Sequence, residues 1–238
     1  MKTRRVFVQA GVFASLVFIL VSCLSEEDPG ALQSAEKDFS LLDFDRIGMG
    51  DAFVISVRQS PVYAIHIRGD RRNIDDLLVT KVGSTLKVGY SANRNRTHTT
   101  YIEVTMPTLL GAALSGATNS TMYGFETNNS VDLTLSGASI AQLNVKSKAL
   151  TLNLSGASKL TLSGNSDEVQ ARVSGASELF SYACTAGQVD ADVSGASKMN
   201  VFVTQSLKAV ASGASVIYYR GTPTVNSTVS GSSVVLPD

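Results

Sequence analysis

Residues 150–162 read LTLNLSGASKLTL, and this stretch decides the fold of the chain. Apolar and polar residues alternate on both sides of the tetrapeptide at residues 155–158. Such alternation predicts strands that have one buried face and one solvated face. The tetrapeptide consists of small residues and contains a glycine, which favours a tight turn. The stretch therefore predicts two short strands joined by a small-residue corner.

The same tetrapeptide, with small variations, occurs seven times along the chain. Successive copies are separated by 21, 19, 19, 20, 18 and 18 residues. A unit of this length with two short strands cannot bury its apolar face alone, so we expect the units to stack into a solenoid. The copies begin at Ser115, Ser136, Ser155, Ser174, Ser194, Ser212 and Ser230.

A parallel β-helix fits this repeat better than a leucine-rich repeat, because the segment shows no helical periodicity. Equivalent residues of successive coils would lie about 4.8 Å apart, so seven coils would make a rod about 30 Å long. We expect each alanine to point inward at the corner and the serines to hydrogen-bond to neighbouring coils, although a serine ladder that binds a ligand is an alternative. The predicted structural-turn glycines are Gly116, Gly137, Gly156, Gly175, Gly195, Gly213 and Gly231.

Residues 39–110 alternate in the same way but lack the tetrapeptide. A solenoid exposes an apolar cross-section at each end, so a distinct terminal region is expected there. We therefore predict a β-rich N-terminal cap and first coils over 39–110, with one helical turn within 71–78. The repeat β-helix is predicted over 111–238.

The N-terminus has the layout of an export signal, with a basic start and an apolar run that ends at Cys23. Residues 20–23 read LVSC and resemble the lipobox of bacterial lipoproteins, which implies a diacylglycerol on Cys23 after removal of residues 1–22. Residues 23–38 are then a lipid-anchored flexible tether. The pair at residues 4–5 also resembles a twin-arginine motif, so general secretion and the twin-arginine route both stay open.

Residues 44–57 read FDRIGMGDAFVISV. Together with the repeated tetrapeptide, this stretch resembles the "head GIN" domain family of auto-transporter adhesins over residues 40–236. The resemblance implies a right-handed parallel β-helix in a secreted or lipid-anchored protein of a Gram-negative bacterium. It implies no catalytic residues.

Charge and composition argue against several kinds of site. Lys+Arg and Asp+Glu both total 20, so no global field attracts nucleic acid. His66 and His98 have no convergent carboxylates or cysteines in the sequence pattern, so we predict no metal and no cofactor. If Cys23 carries lipid, Cys184 has no disulfide partner in the chain and is expected to be a small buried hydrophobe.

Alignment of the coils on the first serine of each tetrapeptide places Asp190 and Asp192 on one wet face, about 7 Å apart. This separation is compatible with a pair of glycosidase carboxylates. The same alignment sets Arg172 beside Asp192 and Lys208 beside Asp190, which favours a ladder of opposite charges that fixes the register. A second column of the ladder contains Lys159, Glu178 and Lys198.

These observations predict a non-catalytic lipoprotein of the cell envelope, an adhesin or a binding scaffold with a repetitive surface. The expected location is the outer membrane, facing the cell surface or the periplasm, and the expected partner is an envelope glycan or protein. A carbohydrate-active enzyme that uses Asp190 and Asp192 is the alternative. The sequence stops soon after the seventh tetrapeptide, so either Pro237 blunts this edge or the open end pairs with another copy, and we favour self-association through the C-terminal end.

Overall fold

The structure, a computed structural model, describes residues 30–238. The predicted signal sequence and the predicted lipidation site Cys23 lie outside the described residues. Within residues 30–238 the chain forms seventeen strands and one short helix. The elements before the repeats are β1 (Ser34–Phe39), β2 (Arg46–Met49), β3 (Val54–Gln59), β4 (Ala64–Asp70), α1 (Arg71–Asp75), β5 (Leu77–Val82), β6 (Thr85–Tyr90) and β7 (Tyr101–Met106).

The strands of the repeat region pair in parallel, each coil on the next. The result is a β-solenoid of about seven turns with coils of about 19 residues, which confirms the predicted all-β solenoid. The elements are β8 (Gly111–Leu114), β9 (Asn119–Glu126), β10 (Ser130–Leu135), β11 (Ile140–Leu154), β12 (Lys159–Val173), β13 (Glu178–Val193), β14 (Lys198–Ala211), β15 (Val216–Arg220), β16 (Thr224–Val229) and β17 (Val234–Pro237).

Inward side chains of successive coils lie directly above one another in the core. One column runs from Leu150 through Val169 and Val189 to Leu207, each residue the register partner of the next. All four are at most 5% exposed. Burial of each such side chain contributes about 1.5–3 kcal/mol, so the stack gains its stability coil by coil.

The corners continue the hydrogen-bond ladder of the strands. The amide of Ala176 donates to the carbonyl of Gly156 at 2.8 Å, and the amide of Ala196 donates to the carbonyl of Gly175 at the same distance. A Cβ on Gly175 would lie 2.4 Å from the Gly156 carbonyl oxygen, and the φ of Gly175 is 77°. Glycine is therefore required at this corner for both space and backbone conformation. All seven glycines predicted as turns have φ between 70° and 80°.

The prediction that the alanine of the tetrapeptide points inward is wrong. Ala157 and Ala176 are exposed, and the last residue of each tetrapeptide is buried instead. Its hydroxyl binds the backbone, as Ser158 Oγ does by donating to the carbonyl of Ser155 at 2.7 Å. An inward alanine could donate no hydrogen bond to such a carbonyl. The buried column contains Thr118, Ser139, Ser158, Ser177, Ser197, Ser215 and Ser233.

The order of the first coils in space differs from their order along the chain. Strand β2 pairs in parallel with both β6 and β8, and β3 pairs with both β7 and β9. The coil formed by residues 46–59 therefore lies between the coil of residues 85–106 and the first tetrapeptide coil. Early and late segments of the N-terminal region thus have to meet before the stack is complete.

Antiparallel strands end the parallel stack on the N-terminal side. Strand β4 pairs antiparallel with β7, β1 with β4, and β5 with β6. The helical turn predicted within 71–78 is α1, which follows the N-cap Asp70. Residues 34–38, the last five of the predicted tether, belong to β1 and therefore to the sheet.

At the other end, β16 presents apolar side chains to solvent. Val225 and Val229 are exposed, although their register partners in β14, Leu207 and Ala211, are buried. The inward column thus reaches the surface in the last described coil. Self-association through this edge stays a prediction.

The substitution Gly175→Ala is expected to lower the free energy of unfolding by about 2–4 kcal/mol. The energetic cost of a strained φ and the cost of displacing the neighbouring coil add together in this variant. The matched control is Gly124→Ala, since Gly124 has a φ of 81° but no atom within 4 Å of a built Cβ. This control should lower the free energy of unfolding by about 1 kcal/mol, which is the cost of the strained φ alone. Urea unfolding measures both, and equal losses would contradict the steric argument.

Candidate functional site

The outward side chains of the strands that precede each corner form one continuous surface, which we call the polar face. Thr151, Gln170, Asp190, Lys208 and Asn226 are successive register partners on five coils. Their spacing is that of the strands, about 4.8 Å per coil. The face therefore offers hydroxyl, amide and charged groups at regular intervals along the rod.

The opposite charges of the predicted ladder meet on this face at one position and are only adjacent at another. Lys208 Nζ lies 2.8 Å from Asp190 Oδ2. Arg172 and Asp192 are register partners on the same face, but their side chains form no ion pair among the described residues. The polar-face part of the charge ladder thus contains one formed ion pair and one pair aligned by register.

A shallow groove with a volume of about 440 Å³ runs along the polar face and crosses four coils. Thr151, Gln170, Asp190 and Lys208 line it, together with Gln188. The groove is open along its length and its lining mixes polar and apolar atoms. Its shape suits an extended ligand lying across several coils better than a small molecule that must be enclosed.

The two carboxylates of the enzyme alternative share a face but do not converge on one cavity. Asp190 and Asp192 flank the buried Ala191 on β13. Asp190 lines the groove and is bound by Lys208, whereas Asp192 is not part of the groove lining. A paired acid and base require a substrate bond between them, and the groove reaches only one of these residues.

The second charge column lies on the strands that follow each corner. Lys159, Glu178 and Lys198 are successive register partners there. Lys159 Nζ is 3.4 Å from Glu178 Oε2. Lys198 does not join them, because its ammonium lies over the ring of Tyr218, 5.3 Å from the ring centroid.

A cluster of aromatic side chains that sequence reasoning missed lies on this same surface. Phe180, Tyr182, Phe202 and Tyr218 are half-buried at outward positions of β13, β14 and β15, and we call this surface the aromatic face. Thr161, at the position of Phe180 one coil earlier, is polar. The change from polar to aromatic residues at outward positions after residue 178 is the signal that could have found it.

Both histidines hold the first described segment to the cap. His66 Nδ1 lies 2.7 Å from Asp38 Oδ1, and this contact raises the pKa of His66. His98 Nε2 lies 3.0 Å from the carbonyl oxygen of Gly30. The carboxylate beside His66 comes from β1 by antiparallel pairing, so it is distant in sequence. No group of three metal-ligating side chains occurs within residues 30–238.

Cys184 is a buried free thiol, as expected. Desolvation raises its pKa to about 11, so the thiol stays protonated at neutral pH and is a poor nucleophile. In the part of the chain that is described, no helix has the length and hydrophobicity needed to cross a membrane.

Comparison with known proteins gives one family and a set of similar folds. The family model described as "Putative auto-transporter adhesin, head GIN domain" matches residues 43–223. Among curated protein sequences none matches the chain at a significant level.

Several solved structures are similar over most of the rod. A "putative adhesin" of Bacteroides fragilis is 21% identical with a TM-score of 0.76, covering 87% of this chain and 97% of its own. A "putative lipid binding protein" of Parabacteroides distasonis is 18% identical with a TM-score of 0.70, covering 86% and 96%. A "putative adhesin" of Parabacteroides merdae is 18% identical with a TM-score of 0.68, covering 87% and 96%. At these identities the likeness concerns the fold.

The charge reversal Asp190→Lys is expected to lower the free energy of unfolding by about 0.5–1 kcal/mol at low salt, because it places two ammonium groups at the interstrand spacing. Reversing the partner as well, Asp190→Lys with Lys208→Asp, should restore most of the loss. Urea unfolding at low and high salt measures both effects, and high salt should reduce them. A double variant as unstable as the single one would contradict the ion-pair ladder.

Proposed function

The chain belongs to the head GIN domain family, and on that premise we propose that it is a non-catalytic binding module of the cell envelope. It would be held at the outer membrane by lipid on Cys23 and would bind another envelope component through the outer surface of the rod. The observation that carries the proposal is the regular presentation of outward side chains on stacked coils. Such a surface suits many weak contacts along a ligand.

The chemistry of the polar face supports binding rather than turnover. The groups there are exposed hydroxyls, amides and an ion pair between Asp190 and Lys208. A catalytic acid or nucleophile needs a closed, preorganised environment around the reacting bond. The groove along this face is open and shallow, so a ligand on it stays solvated along one side.

The contacts of the first described residues support anchoring from the N-terminus. Gln33 N donates to Asp70 Oδ2 at 2.9 Å, and Arg71 N donates to the carbonyl of Gln33 at 2.7 Å. Arg72 donates to the carbonyl of Ala31 at 3.1 Å and forms an ion pair with buried Asp70. That ion pair holds the pKa of Asp70 well below its usual range. A pull on the N-terminal segment would therefore be borne by the cap, and the repeat coils would keep their register.

The anchor is tested with full-length protein in cells of a Gram-negative bacterium. The native chain should fractionate with membranes, and Cys23→Ala should move it to the soluble fraction, because the diacylglycerol attachment point is lost. A conservative control is Cys184→Ala, which removes the other cysteine and should leave fractionation unchanged. Membrane association that survives Cys23→Ala would contradict the lipid anchor.

Protease treatment of the same intact cells separates the two orientations. Loss of the native chain from intact cells places the rod on the surface and supports an adhesin. Protection of a membrane-bound chain places it in the periplasm and supports an envelope scaffold. If the Cys184→Ala chain, which keeps Cys23, were released into the medium, the protein would not be held at the membrane. That result would argue against both orientations.

A further inference from the structure

The aromatic face is a compact surface on three successive strands. Its middle row consists of Phe180, Asn200 and Tyr218, which are register partners on β13, β14 and β15. Phe180 and Tyr218 are thus two interstrand spacings apart, about 9.6 Å along the rod. Two rings at this separation can each receive one unit of a chain-like ligand.

Neighbouring groups hold the rings in place. The ammonium of Lys159 lies 4.7 Å from the centroid of the Phe180 ring, and that of Lys198 lies 5.3 Å from the centroid of the Tyr218 ring. The guanidinium of Arg220 lies 4.1 Å from the centroid of the Tyr182 ring, and its Nη2 is 2.6 Å from Asp238 Oδ2. Asn200 Nδ2 donates to the hydroxyl of Tyr182 at 3.0 Å. Rings fixed before a ligand arrives lose little conformational entropy on binding.

The charges of the face favour an anionic ligand. Lys159 pairs with Glu178, and Arg220 pairs with Asp238. Lys198, in contrast, forms no ion pair within residues 30–238 and lies over Tyr218. Its ammonium can therefore form a charge-assisted hydrogen bond to a carboxylate held beside the ring.

We propose that the aromatic face binds an acidic pyranose polysaccharide. The C–H faces of its sugar rings would contact the parts of the Phe180 and Tyr218 rings that Lys159 and Lys198 leave uncovered. A carboxylate substituent would reach Lys198. Aromatic rings provide flat apolar area, and the adjacent ion pair of Arg220 and Asp238 provides planar polar groups for hydroxyls. This inference rests on the proposed binding function and names its site and ligand class.

Affinity electrophoresis of the full-length chain, purified in detergent, tests the site. Native gels contain polygalacturonate, alginate or hyaluronate, and a parallel gel contains carboxyl-reduced polygalacturonate. The native chain should be retarded by at least one acidic polymer, and the reduced polymer should retard it less. Added salt should weaken the retardation, because the contact with Lys198 is electrostatic.

Two substitutions address the ring and the charge separately. Tyr218→Ala is expected to weaken binding about tenfold, the size typical of a truncated ring at a binding hot spot. Lys198→Gln should weaken binding to the acidic polymer and leave binding to the reduced polymer unchanged. Lys198→Gln removes no aromatic ring from the surface, so this variant keeps the test valid even if Tyr218→Ala is unstable.

The matched control is Tyr123→Ala. Tyr123 is also partly exposed and has Arg58 over its ring at 5.5 Å, but it lies on β9 at the other end of the repeats. This control should bind like the native chain. Equal loss in Tyr123→Ala and Tyr218→Ala would overturn the assignment, as would retardation that Lys198→Gln leaves unchanged.

Co-sedimentation of the Cys23→Ala chain, which lacks the proposed lipid and needs no detergent, with isolated envelope fragments and with anionic lipid vesicles completes the test. Binding to envelope fragments without retardation by any acidic polymer overturns this inference but leaves the proposed function standing. Binding to neither overturns both. Binding to vesicles of phosphatidylglycerol that depends on Tyr218 assigns the face to a membrane surface instead and also overturns it.

Discussion

The hydrogen bond from the alanine amide of one corner to the glycine carbonyl of the corner below is the constraint on which the rod depends. At 2.8 Å between Ala176 and Gly156, it keeps the coils at strand spacing where the chain turns sharply. A side chain on the glycine would collide with that carbonyl. The tetrapeptide is therefore needed in every coil to shape the corner, and its last residue is buried as part of the same corner.

A fixed corner sets the register of the strand segments on either side of it. Inward positions become columns such as Leu150 and Val169 in the core, and outward positions become columns on the surface. The outward columns are free to vary because they do not carry the stack. This freedom lets the strands before the corners present hydroxyls and amides, while the strands after the corners present rings that lie beneath cations such as Lys198 and Arg220. A single backbone plan thus offers two different binding surfaces.

The sequence allowed a prediction of the strands, the corners and the lateral neighbours, because a repeat converts position along the chain into position in space. It did not predict the coil of residues 46–59 between later coils, since that pairing has no repeat to reveal it. The prediction of an inward alanine was wrong because it considered the size of the side chain without the hydrogen bond that a buried serine donates to the backbone of the corner. The aromatic face was missed partly because the register of β13 shifts between Ser181 and Thr185, which hides Tyr182 from a simple alignment.

Native-state hydrogen exchange at the corners tests the central claim most directly. If the glycine carbonyls hold the coils together, the amides of Ala157, Ala176 and Ala196 should exchange only through global unfolding, as slowly as the strand amides beside them. Their exchange should also show the same dependence on denaturant as those strand amides. Exchange at the rate of an exposed loop amide, such as that of Asn93, would show that the corners open independently and would contradict the account.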